Sequence, residues 1–171
     1  MVMAYSFGVV EDKLQEAEFF LNLFRKSTPI SFESSCYFSA FVSAARSVTF
    51  VLQFSLNEIP GFKEWYEKAQ EKLKADSLAP YFVEIRNNLQ KKGINPLNNV
   101  PIEHLRQHLS RQLKGQGCSH VLVLPYFESR QPTILTDAVE ATTTYYKLLV
   151  SLIFDAYLEN RADVSVDGAV E

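Results

Sequence analysis

The chain has 171 residues, enough for one domain with a sizeable hydrophobic core. At 47% hydrophobic and 13% aromatic it is too apolar for a disordered protein, and a net charge of −3 points globally at neither nucleic acid nor an anionic membrane. Two cysteines, Cys36 and Cys118, make no disulfide framework and are expected as free thiols in a cytoplasmic protein.

The N-terminal stretch MVMAYSFGVVEDK lacks a basic segment, and Glu11 and Asp12 cut its apolar run short, so no secretory signal is expected. No apolar run reaches the roughly 18 residues that suggest a membrane span, so no membrane is expected either. From Glu11 to Lys26, Leu14, Ala17, Leu21 and Phe24 fall at helical spacing. The turn STPIS leads into a long second helix, Phe32 to Leu56. There Ser39, Ser43 and Ser47 lie four apart, as do Ala40 and Ala44, and a small-residue face lets another helix approach. Arg46 is the one charge in the middle of this helix and is expected to snorkel or to meet a carboxylate.

Pro60 and Gly61 end that helix. Phe62 to Lys74 reads as the third, with Phe62, Trp65, Tyr66, Ala69 and Leu73 on one face and the i,i+4 pairs Lys63/Glu67 and Glu64/Lys68 on the other. Asp76 or Ser77 caps the fourth, whose stripe is Leu78, Tyr81, Phe82, Ile85 and Leu89 and whose stop is Gly93, with Pro96 beyond. Between residues 94 and 135 the pattern loosens. Ile102, Leu105, Leu109 and Leu113 keep helical spacing, with an alternating strand as the alternative; HVLVLPYF reads as a short strand, and RQPTILT is a candidate partner for it. Asp137 with Glu140 opens the last helix, which runs to Asn160. Residues 1–160 are expected as one helical domain and 161–171 as a disordered tail. The fold class expected is all-α: an up-and-down bundle of about five helices with a small irregular or β-hairpin insertion before the last helix.

Charge is distributed unevenly. Between Glu84 and Lys114, six cations (Arg86, Lys91, Lys92, Arg106, Arg111 and Lys114) face only Glu84 and Glu103. Lysines at a helix C-terminus suit the macrodipole and need no function. Arg86, directly after the apolar Ile85, needs an anionic or polar partner, and Asn87 and Asn88 are poor helix formers. This makes Arg86, Asn87, Lys91 and Lys92 candidates for holding a phosphate, with His104, His108, Arg106 and Arg111 as secondary candidates. His104 and His108 are i,i+4, but the chain has no C-x-x-C and no H-E-x-x-H, so neither a metal nor another cofactor is expected.

The stretch RNNLQKK, with YFSAFVSAARSV, FKEWYEKA and DSLAPYFVEIRNN before it, resembles the HEPN superfamily of small helical-bundle proteins, in particular its uncharacterised bacterial members. The resemblance runs over Glu11 to Gly93, plus the last helix by position. It implies a homodimer with paired Arg-Asn-x-x-x-His motifs in a cleft. Arg86 and Asn87 match that motif, while Lys91 stands where the histidine would be. Lysine stays charged at neutral pH and is a poor general base, which implies a degenerate site that binds a nucleotide, RNA or a protein partner. The alternatives are a metal-independent ribonuclease using His104 or His108, and a structural interaction module in which Arg86 pairs with a carboxylate such as Glu84 across the dimer. Whether the chain is an enzyme stays open at this point.

Overall fold

The computed structural model describes residues 7–28, 31–101, 120–125 and 135–160. It contains α1 (Gly8–Lys26), α2 (Phe32–Leu56), α3 (Phe62–Ala75), α4 (Leu78–Lys92), β1 (Asn98–Pro101), β2 (His120–Pro125), β3 (Leu135–Asp137) and α5 (Ala138–Asn160). The fold is the expected helical bundle, and the helices expected at 11–26, 32–56, 62–74, 78–92 and 137–160 are present. α1 starts three residues early, at Gly8, because Phe7 and Val10 are buried and anchor an extra turn.

The helix ends follow local chemistry. Ser31 caps α2 by accepting from the Glu33 amide. Asp76, rather than Ser77, caps α4: its Oδ1 accepts from the amides of Leu78 and Ala79. Asp137 does the same for α5, accepting from Val139 and Glu140. Gly93 closes α4 at φ 64°, a left-handed conformation that glycine adopts without strain, and the Ile94 amide donates back to the Asn88 carbonyl.

The insertion is a three-stranded antiparallel sheet in the order β1-β2-β3. β2 and β3 are the two strands expected there, with Leu124 opposite Thr136. β1 is an addition: Asn98 to Pro101 pair with Val123 to His120. NNVP has almost no intrinsic strand preference, and β2 supplies the partner that makes it one. The sequence readings at 102–119, which hold His104, Arg106, His108, Arg111 and Cys118, and at 161–171 lie outside the described residues.

α1 and α2 form the most extensive helix pair, α1 and α4 pack with α2 and α5, and the sheet packs with α5. One core cluster gathers Leu21, Phe24, Phe38, Phe41, Phe82, Ile85 and Leu149 with Leu122 and Leu124 of the sheet. The other gathers Val10, Leu52, Leu56, Phe62, Tyr66 and Ile153 at the opposite end. The Phe82 and Tyr145 rings stack 4.3 Å apart at 4°, joining α4 to α5. By length and composition α2 is long and apolar enough to cross a membrane, a test that buried core helices also pass, and 44% of its most apolar window is buried here.

Candidate functional site

α2 and α4 run antiparallel along a shared seam. Near one end the Gln90 side chain donates to Ser43 Oγ at 3.1 Å; near the other, Ala79 and Val83 of α4 line the same cavity as Arg46 and Thr49 of α2. Arg86 lies one turn before Gln90, whereas Arg46 shares its cavity with Ala79, Pro80 and Val83, nearer the start of α4. The small-residue face of α2 does admit α4. Ser39, Ala40 and Ser43 form the floor of an open groove of about 620 Å³, completed by Leu89 and Asn95 and edged by the highly exposed Phe32.

Arg86 is half-buried, and its Nη1 donates to Asn87 Oδ1 at 3.1 Å. Lys91 and Lys92 are exposed in the last turn of α4. Of the sequence-based candidates, these four alone fall on described residues, and they occupy one helix end. Glu84, the suggested partner of Arg86, is exposed, and no ion pair joins the two within the chain.

Arg46 is the residue the sequence reading undervalued. Its Nη1 donates to Thr49 Oγ1 at 2.9 Å and its guanidinium lies 4.3 Å above the Phe50 ring. It meets no carboxylate: the one ion pair among the described residues is Lys13 with Glu16 on α1, and the α3 pairs expected at Lys63/Glu67 and Glu64/Lys68 are not formed. Arg46 and Thr49 open onto a cavity of about 280 Å³ walled by Tyr66, Gln70 and Lys74 of α3, Ala79 and Val83 of α4, and Tyr145 and Leu149 of α5. Tyr66 Oη donates to the Thr49 carbonyl at 3.2 Å, and burial raises its pKa against the opposing pull of the Gln70 hydrogen bond and the Arg46 charge. Burial pushes the Tyr145 phenol up to about 12, again opposed by Arg46.

A pH dependence follows. Tyr145, and Tyr81 with its phenol pushed up to about 12 by burial and by the Glu84 carboxylate, are neutral in the fold well above the ordinary value of 10.0. Their contribution to stability is intact below about pH 10 and is lost as the pH rises through 12, because the unfolded phenols ionise first. Ultraviolet titration should show Tyr81 and Tyr145 ionising last, after the other tyrosines, and denaturant midpoints should fall across that window. Ionisation of all eight tyrosines near pH 10 without unfolding would contradict the burial described.

α5 presents a different feature on its outer side. Val150, Phe154 and Leu158, spaced i,i+4, are 39%, 60% and 45% exposed, and Tyr157 beside them is 37% exposed. Lys147 lies at the N-terminal end of this stripe, with Asp155 and Glu159 at its C-terminal end. Among the described residues no three His, Cys, Asp or Glu side chains converge as a metal site.

The family model described as bacteriophage lambda protein ea47 matches residues 25–156. No curated protein matches the chain, and no solved structure does. The match overturns the resemblance to the HEPN superfamily and its bacterial members, since it covers the same helices, Arg86 and Asn87 included. The physical reason is how little the motif holds: an Arg-Asn pair near the end of an amphipathic helix arises wherever such a helix needs a polar edge and a cationic last turn.

Proposed function

Since this chain belongs to the family of the bacteriophage lambda protein ea47, we propose from its surface that it is an interaction module that pairs with a second copy of itself through α5. The observation behind this reading is the apolar stripe Val150–Phe154–Leu158 on the side of α5 that faces away from the bundle. A contiguous apolar stripe with polar borders marks an association surface. The borders favour a second copy. In a two-fold pair the helices run antiparallel and the stripes meet at their centres, so Lys147 of one copy comes level with Glu159 of the other. Light scattering across a concentration series tests this. A dimer mass at micromolar concentration is expected, and a monomer at high micromolar concentration defeats the reading.

A second reading concerns phosphate. Among the described residues the Arg86 guanidinium has only the neutral Asn87 side chain as a hydrogen-bond partner, and Lys91 and Lys92 follow about one and a half turns on. A guanidinium fork in that setting favours an anionic oxygen, as in a nucleotide or RNA. Weak polyanion binding is expected, falling with salt. Arg86→Ala should weaken it more than Lys91→Ala, and each should lower the salt slope by about 1. Salt-independent binding, or none to a single-stranded RNA homopolymer at low salt, removes this reading and leaves the first intact.

A further inference from the structure

We propose that the cavity between α2, α3, α4 and α5 is a binding site for a small monocarboxylate with a flat apolar body, its carboxylate held by Arg46. The cavity lies on the inner side of α5, at Tyr145 and Leu149, and so goes beyond the self-association read from that helix's outer stripe.

Three observations carry it. The first is size: about 280 Å³ exceeds the roughly 150 Å³ that accommodates a benzene ring, and approaches the lower end of ordinary ligand pockets. The second is shape of the lining. Ala79, Val83, Leu149 and the Tyr145 ring form an apolar wall, suited to a ring or short chain rather than to a sugar or a free phosphate. The third is charge. Among the described residues, the charged side chains lining the cavity are Arg46 and Lys74, both cations, and no carboxylate lines it.

Arg46 is poised for the task. One guanidinium nitrogen is committed to Thr49, and the plane is fixed by the Phe50 ring, so little rotamer freedom remains to be lost on binding. The remaining N–H groups of its fork match a carboxylate. The Tyr145 phenol, neutral through the physiological range, is polar without adding a competing anion. Lys74 comes from the end of α3 and adds long-range attraction for an entering anion.

Isothermal titration of the full chain tests the assignment with hydrocinnamate, hydrocinnamyl alcohol and acetate as probes. Hydrocinnamate should bind at least roughly ten-fold more tightly than the alcohol, the ratio expected for a charge-assisted pair, and acetate should bind too weakly to measure. Arg46→Met keeps the apolar stem and removes the fork, and should bring the acid down to the alcohol's affinity. Val83→Phe should block both, with helicity retained by circular dichroism. Equal affinity for acid and alcohol, no hydrocinnamate binding at millimolar concentration, or unchanged binding in Arg46→Met overturns the proposal. The acid-to-alcohol ratio needs only the unmodified chain, so a variant that misfolds does not spare it.

Discussion

Phe82→Ala should lower the unfolding free energy by about 3–5 kcal/mol, measured by urea denaturation with circular dichroism. Phe82 is 1% exposed. Its ring stacks on Tyr145 at 4.3 Å and meets Phe41 edge-on at 6.2 Å, so it links α4 to α5 and to α2. Truncation removes the buried ring, leaves a cavity between three helices, and forfeits both aromatic pairings. Domain stabilities of about 5–15 kcal/mol make this a loss of a large fraction of the total. Phe82→Leu should cost much less, because it refills part of the volume. Phe32→Ala, at a side chain 83% exposed, should change stability by less than about 0.5 kcal/mol. A Phe82→Ala loss no greater than that of Phe32→Ala would falsify the packing of α4 described above.

Phe154→Asp should separate the copies while leaving each bundle folded. The side chain is 60% exposed in the single chain, so replacing it removes little from the core. In the proposed pair it sits at the middle of the stripe, where truncating an aromatic anchor typically costs 2 kcal/mol or more. Aspartate adds a charge that would have to be desolvated, so a rise in the dissociation constant of roughly 100-fold is expected. Light scattering reads the mass, and thermal melting at low concentration reads the fold. Lys147→Glu should weaken the pair by a smaller factor, and Glu159→Lys combined with it should restore part of the loss if the helices run antiparallel. A dimer that survives Phe154→Asp would place the contact on another face.

The bundle was legible in the sequence because each helix carries its own signals. The D-x-x-E pattern at Asp137, Gly93 after a cationic turn, and the stripe Tyr81, Phe82, Ile85 are all local, and local chemistry decides them. The candidate site was legible only in part. Arg86 and Asn87 stand out because a guanidinium beside an apolar stripe is conspicuous, and the structure joins the two by a hydrogen bond. The short motif they form nevertheless led to the wrong family, since a few polar residues at a helix end serve too many purposes to identify one.

By itself, then, the sequence determined five helices, the Asp137 cap of α5, the Gly93 stop of α4, and which faces carry apolar bulk. Only the tertiary structure decided which of that bulk remains exposed. α5 is apolar nearly all round: Tyr145, Leu149 and Ala156 are buried, and Val150, Phe154 and Leu158 are not, because α5's neighbours cover one side only. β1 became a strand because β2 lies beside it. Arg46 became a cation at a cavity because four helices, distant in sequence, supply apolar walls and no carboxylate. Helix formation depends on residues within about one turn of each other, whereas a cavity and an exposed face depend on residues brought together from the whole chain.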